Sequence, residues 1–211
     1  LEKLSISQLW KNLQQKYSLS DHQIQQFQQY ADLLQEWNRK FNITALTSLE
    51  DIITLHFDDS LALSKHYDMA SLKSIADVGT GGGFPIIPLK IAFPHLQVVL
   101  IEVLHKRVTF LEHVASVLSL SDVIMYPYDW KMFVRKTDFQ VDMVIARASL
   151  RPEELIFMFK PSSLYKDAVL VYWASDSWEV SDKVKPFMTH EVEYEVLSKK
   201  RKLVFFKRGT N

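Results

Sequence analysis

Apolar positions in the first third of the chain recur at helical spacing. Ile6, Leu9, Trp10, Leu13 and Tyr17 fall at i, i+3, i+4 intervals and predict an amphipathic helix. Ser20 with Gln23 forms a capping-box start. The helix it opens carries a long stripe of Ile24, Phe27, Ala31, Leu34, Trp37 and Phe41. Ser48 starts another helix, with Ile52, Ile53, Leu55 and Phe57. From Lys73 onward the pattern alternates. Strands are predicted near 74–78, 96–102, 122–126, 141–146 and 167–173, with helices near 85–92, 105–118, 129–135 and 151–159. Such alternation builds a parallel sheet covered by helices on both faces. At the end, Glu191 to Leu197 and Leu203 to Phe206 flank Ser198-Lys199-Lys200-Arg201-Lys202, which predicts an antiparallel hairpin. The expected fold is α/β: a seven-stranded, doubly wound sheet with an N-terminal helical extension. The expected division is a helical subdomain at 1–70 and a sheet domain at 71–211.

Composition narrows the class. A chain of 211 residues buries one substantial core, and 47% hydrophobic content is globular. No apolar run is long enough to span a bilayer, and the first residues lack the apolar run of a signal peptide. The absence of cysteine removes disulfides and Cys-based metal sites, and no metal is expected. A cytoplasmic protein with no membrane partner is the expectation. Net charge is zero, from 25 basic and 25 acidic residues, so the total does not announce nucleic acid. Its distribution says more: Lys199, Lys200, Arg201, Lys202, Lys207 and Arg208 follow the last acid, Glu195. The cluster fits phosphate neutralisation and a solvated hairpin equally well.

Chemistry concentrates in one turn. Of the chain's 5 glycines, all but Gly209 lie in Gly79-Thr80-Gly81-Gly82-Gly83, between the apolar run ending in Asp77-Val78 and the helical run Phe84-Pro85-Ile86-Ile87-Pro88-Leu89. Glycine admits positive φ and close approach of a ligand to the main chain. A phosphate loop requires Lys and Ser or Thr after the last glycine, and Phe84-Pro85 stand there. A dinucleotide turn requires a third glycine where Phe84 stands. Asp77, Gly79, Gly81 and Gly83 do satisfy D-x-G-x-G-x-G. That pattern resembles the first motif of S-adenosylmethionine (SAM)-dependent methyltransferases, in which the acid faces the methionine end of the cofactor. The next strand, Leu96 to Ile101, ends in Glu102. An acid about 20 residues after the glycines is placed to accept from ribose hydroxyls. Seven strands ending in a reversed pair also fit the methyltransferase version of the Rossmann-like fold better than the dinucleotide version.

Five segments together carry a more specific resemblance. Trp37-Asn38-Arg39-Lys40-Phe41-Asn42-Ile43-Thr44 is similar to W-N-x-x-x-N-L-T, and His56-Phe57-Asp58-Asp59-Ser60-Leu61 to H-x-x-D-S-L. Asp77 to Leu89 resembles D-V-G-T-G-x-G-F-P-G-I-P-L, with Ile86 in place of a glycine. Lys106-Arg107 before Phe110-Leu111, and Ala146-Arg147-Ala148, complete the set. In this order, from about Leu33 to Leu150, they resemble the RsmG (GidB) family. Its members are bacterial methyltransferases that modify guanine N7 in a decoding-region loop of 16S ribosomal RNA. The resemblance implies SAM as cofactor and 16S rRNA, the small ribosomal subunit or its assembly intermediate as partner, acted on by a monomer. It implies cofactor contacts at Asp77, Gly79, Gly81, Gly83, Phe84 and Glu102, and Arg147 at the cofactor or target guanine. The family's R-x-E segment aligns on Asp129-Trp130-Lys131, so Trp130 and Lys131 would approach the adenine end and Asp129 and Lys131 would pair with reversed polarity.

Guanine N7 offers a lone pair and carries no proton, so attack on a sulfonium methyl needs no general base. The protein must supply in-line geometry and exclude water. His56 reads as structural on this view, and Asp59 as a brace of the helical subdomain against the glycine turn. Arg147, at a strand's carboxyl end, is suited to a carboxylate, a phosphate or guanine O6. Two alternatives remain open from sequence: a SAM enzyme acting on a small molecule, and a non-catalytic SAM-binding module associated with the ribosome.

Overall fold

A computed structural model of the chain describes residues 4–209. The first helix, α1 (Ile6–Tyr17), is capped by Ser5 and ends at Ser18 in the left-handed region. The second, α2 (Asp21–Phe41), begins with both bonds of the Ser20–Gln23 capping box and ends at left-handed Asn42. Ser48 starts the next helix as expected, but the element is not a regular α-helix. A short α3 (Leu49–Asp51) runs into a π-helix over Ile52–Asp58 and returns to α geometry in α4 (Asp59–Leu61). Hydrophobic spacing does not reveal this widening, which depends on the tertiary partners of the segment's backbone.

The alternating region follows. It comprises β1 (Ser74–Val78), α5 (Ile86–Ala92), β2 (Gln97–Ile101), α6 (His105–Val117), β3 (Val123–Tyr126), α7 (Trp130–Lys136) and β4 (Met143–Arg147). Then come α8 (Pro152–Leu155), β5 (Val169–Ser175), β6 (Met188–Val196) and β7 (Lys199–Phe206). The helix expected at 151–159 is a single α-turn continued as a 3-10 turn. The sheet order is β3-β2-β1-β4-β5-β7-β6, with β7 antiparallel to both neighbours. The hairpin turn is shorter than the sequence predicts. Leu197 and Ser198 both have positive φ, 47° and 61°, and Lys199 to Lys202 already belong to β7. A two-residue turn with two left-handed residues matches the twist of its strands.

Strand alternation sorts the core into two layers. Ile75, Met143, Ile145, Val171, Leu203 and Phe205 face α1, α2, the π-helix, α5 and α6. Ala76, Val78, Val144, Ala146, Leu170 and Val204 face α7 and α8. The N-terminal helices pack into the first layer through Leu9, Leu13, Phe27, Tyr30, Leu34 and Phe57. Each such fully buried side chain contributes roughly 1.5–3 kcal/mol of transfer free energy. No helix among the described residues is long and apolar enough to cross a membrane. Strand order reverses between β1 and β4, and the carboxyl ends of strands at such a point are where open α/β sheets bind ligands.

Candidate functional site

The glycine turn leaves β1 at that reversal. Gly79, Gly81 and Gly83 all have positive φ, at 67°, 62° and 94°. Their surroundings differ. A Cβ on Gly79 would meet Ser149 Cβ at 2.6 Å, and one on Gly83 would meet Tyr30 Oη at 2.6 Å and Ile87 Cγ1 at 2.7 Å. A Cβ on Gly81 would meet only Gly79 O at 3.8 Å and Arg107 at 3.9 Å. Gly79 and Gly83 are therefore glycine for packing, whereas Gly81 leaves its side open. Tyr30 anchors the turn from α2 by donating its hydroxyl to the Gly82 carbonyl.

A cleft of about 420 Å³ opens beside the turn. Its walls include Gly79, Glu102, Arg107, Tyr128, Trp130 and Ser149. Glu102 is held by the main chain. Its Oε2 accepts from Gly81 N–H at 3.0 Å, its Oε1 from Leu104 N–H at 2.9 Å, and Arg107 lies at 3.4 Å. The acid and the glycines inferred from sequence thus meet directly. Ala148 stands at φ 52° and turns the chain so that Ser149 packs on Gly79. Arg107 was read from sequence only as part of a family segment, and Tyr128 and Ser149 were not singled out. Their signal was positional, since each follows closely on the carboxyl end of a strand.

Asp77 does not line the cleft. It is fully buried beneath the turn, its Oδ2 accepts from Thr80 Oγ1 at 2.6 Å, and its Oδ1 has no partner among the described residues. Burial raises its pKa to about 7 against the pull of Thr80 and Arg147. Trp130 lines the cleft but is 3% exposed, stacked on Phe133 at 5.8 Å, with its indole N–H unpartnered among the described residues. The Asp129–Lys131 ion pair is absent. Asp129 instead caps α7, accepting from Met132 N–H at 2.8 Å, and Lys131 is exposed. A residue at the first position outside a helix satisfies free backbone donors, and that role claims the carboxylate.

A second polar cluster lies on the helical side of β4. Arg147 donates to Asp59 Oδ2 at 2.7 Å, to the Leu55 carbonyl in the π-helix at 3.3 Å and to His56 Nδ1 at 2.9 Å. Arginine only donates, so His56 Nδ1 is the acceptor. The proton therefore sits on Nε2, which donates to Thr44 Oγ1 at 2.8 Å. His56 stacks face to face on Phe84, with centroids 4.0 Å apart. Burial, then Arg147 and Arg201, lower its pKa to about 3, so the ring is neutral. Asp59 braces Arg147 and the hairpin rather than the glycine turn. Its other oxygen accepts from Tyr194 Oη at 2.7 Å and faces Arg201 Nε at 3.3 Å.

Two members of the basic cluster, Arg201 and Lys202, are paired with acids. Lys202 pairs with Glu191 at 3.1 Å, Arg201 with Asp59, and Lys200 lies opposite Glu195 in the β6–β7 register. The sequence showed no acid after Glu195; strand pairing brings earlier acids alongside.

Comparison with known proteins agrees with this geometry. The profile of the GidB family, described as rRNA small subunit methyltransferase G, matches residues 23–204. A Ribosomal RNA small subunit methyltransferase G of Geobacillus sp. (strain WCH70) is 47% identical over 136 residues, covering 64% of this chain and 57% of the relative. One of Bacillus thuringiensis (strain Al Hakam) is 43% identical over 151 residues, covering 70% of this chain and 63% of the relative. The matched stretches thus span less than two thirds of these relatives. Among solved structures, a mutant of MtNAS in complex with S-adenosylmethionine has a TM-score of 0.60 at 13% identity, covering 97% of this chain and 77% of that one. TrmN from Thermus thermophilus has a TM-score of 0.53 at 15% identity, covering 74% and 53%. At such identities the likeness shows a shared fold.

Proposed function

We propose that this chain, which belongs to the GidB family, transfers a methyl group from SAM to guanine N7 of small-subunit (16S) ribosomal RNA. It would act as a cytoplasmic monomer on the rRNA, the small subunit or its assembly intermediate. The observation that carries the reading is the Glu102 carboxylate bound to Gly81 N–H in the cleft where strand order reverses.

The residues fit the cofactor. Gly81 offers a side on which a Cβ would touch nothing closer than 3.8 Å. Glu102 Oε2 accepts from Gly81 N–H and from Arg107 Nη1, and Oε1 from Leu104 N–H, out of the about four bonds that a carboxylate accepts. The free pair on Oε1 suits a ribose hydroxyl. Gly79, Tyr128, Trp130 and Ser149 complete the walls. Asp77 acts from beneath, as a buried acid shaping the turn, and Phe84 as the plate on which His56 rests. When bound, SAM supplies an electrophilic sulfonium methyl.

The remaining demands fall on position and dryness. Arg147, fixed on three sides, is proposed as the group that meets guanine O6 or an RNA phosphate. It does not occupy N7, because a hydrogen bond there would block the attacking lone pair. His56 is not a base: its Nδ1 is taken by Arg147 and its pKa is about 3. The chemical step is therefore expected to be nearly flat between about pH 6.5 and 8.5. The deciding experiment supplies SAM and small subunits from cells lacking this gene, then maps 7-methylguanosine in the rRNA. Formation at one guanine is expected. Methylation of free metabolites alone, or SAM binding without transfer, would overturn the assignment.

A further inference from the structure

Asp59 divides its two oxygens between two parts of the molecule. Its side chain is 1% exposed, so every partner counts. Oδ2 takes one nitrogen of Arg147, while Oδ1 takes Tyr194 Oη and faces Arg201 Nε. Tyr194 and Arg201 are directly opposed across the β6–β7 ladder, so the hairpin delivers both to one oxygen. The Asp59 carbonyl also accepts from Trp173 Nε1 at 3.1 Å, which fixes the backbone from β5.

The division has a consequence for Arg147. Guanidinium and carboxylate prefer a two-pronged pairing when both oxygens are free. Here Oδ1 is occupied, so Asp59 engages one nitrogen of Arg147 and leaves the other on His56 Nδ1. That bond sets the histidine tautomer, and His56 in turn lies flat on Phe84 at the end of the glycine turn. We infer that Tyr194 and Arg201 are positioning residues for Arg147: by occupying one oxygen of Asp59 they keep the guanidinium forked between Asp59 and His56. The inference rests on the reading of Arg147 as part of a methyl-transfer site. It also gives the terminal hairpin a share in a site to which it contributes no lining residue.

The test compares Tyr194→Phe with Arg201→Met, the double variant and Lys202→Ala. Lys202 lies next to Arg201 but pairs with Glu191, so it reports damage to the hairpin alone. Imidazole nitrogen NMR of His56 should show one tautomer, protonated at Nε2, in the wild type and in Lys202→Ala. In the double variant Arg147 is free to swing onto both oxygens, so a tautomer mixture is expected. The rate of methyl transfer should fall about tenfold or more, with SAM affinity held within about twofold. Arg201→Lys should restore part of the rate. A single unchanged tautomer with a rate within about twofold of the wild type would sink the proposal. So would losses shared equally by Lys202→Ala. If the double variant fails to fold, Tyr194→Phe alone carries both readouts. A wild-type chain that transfers no methyl group would overturn the functional reading only, since the tautomer still reports whether the hairpin holds Arg147.

Discussion

Among the acids in and around the site, Glu102 and Asp59 are held by opposite means. Glu102 is fixed by backbone N–H groups of Gly81 and Leu104, with Arg107 as a longer side-chain contact at 3.4 Å. Asp59 is fixed by side chains of Arg147, Tyr194 and Arg201, from three other segments. The first arrangement is local and faces a cleft. The second is assembled by the whole fold and is closed to solvent. An acid held by main chain tolerates change around it, because the donors persist whatever side chains surround them. An acid that neutralises a buried arginine does not, because removing either partner strands a charge. Glu102 is thus presented to the cleft from the main chain, and Asp59 is turned inward onto side chains.

The largest effect should come from the closed acid. Asp59→Ala leaves Arg147 with its charge uncompensated in a site where it is 12% exposed. Breaking a buried pair in this way costs about 3–5 kcal/mol. Glu102→Gln keeps an acceptor for backbone donors and should cost about 1–2 kcal/mol, while removing most SAM affinity. Urea unfolding of both variants, with calorimetry of SAM binding, checks the contrast. Equal losses of stability would erase the distinction.

The same contrast can be sharpened within one turn. Gly83→Ala drives a Cβ to 2.6 Å from Tyr30 Oη in the core. Overpacking of this kind costs about 1–3 kcal/mol, in addition to about 1–2 kcal/mol for a left-handed alanine. Gly81→Ala meets nothing within 3.8 Å and should pay only the second cost. Its main effect should be on SAM affinity, because the added methyl occupies ligand space. Thermal unfolding and calorimetry together separate the two. A Gly81→Ala variant that binds SAM normally would show that the open side is not the cradle.

These residues also show how much of the site the sequence could disclose. The Glu102 corner was legible because glycine spacing, a strand and its terminal acid lie within one βαβ unit. The strands themselves followed from apolar runs in the right alternation. The Asp59 corner was not legible. Its members at 59, 147, 194 and 201 meet only through sheet order and hairpin register, and Tyr194 carried no motif. The π-helix was equally hidden, since Ile52, Ile53 and Phe57 are buried in it as they would be in an α-helix. The burial of Asp77 was hidden too: its motif position points to the ligand end of β1, and only packing decides which side of the turn it occupies.

Asp77 yields a pH-dependent effect. Burial raises its pKa from 3.8 to about 7. A folded-state pKa above the unfolded value means that the native state holds the proton more tightly. The associated stability is present below the unfolded value and is lost as pH rises toward about 7. Asp77→Asn removes this dependence. The stability difference between wild type and variant should therefore move against the wild type as pH rises from about 4 to about 7, and level off above. Denaturant curves across that range test it. A difference that does not change with pH would mean that Asp77 ionises normally under the turn.

The smallest effect is expected where sequence alignment suggested an ion pair. Asp129 caps α7 through Met132 N–H, and loss of such a cap costs about 1 kcal/mol. Lys131 is exposed, and its replacement by alanine should change stability by less than about 0.5 kcal/mol. Asp129→Ala should also weaken SAM binding a few-fold, because the cap sets the start of the helix that carries Trp130 into the cleft wall. Lys131→Ala should not. If the carboxylate serves the helix rather than the lysine, the double variant equals the sum of the singles within about 0.3–0.5 kcal/mol. A larger coupling would place Lys131 against Asp129 in solution. The adenine side of the cleft would then be held, like the Asp59 corner, by side chains rather than by the main chain.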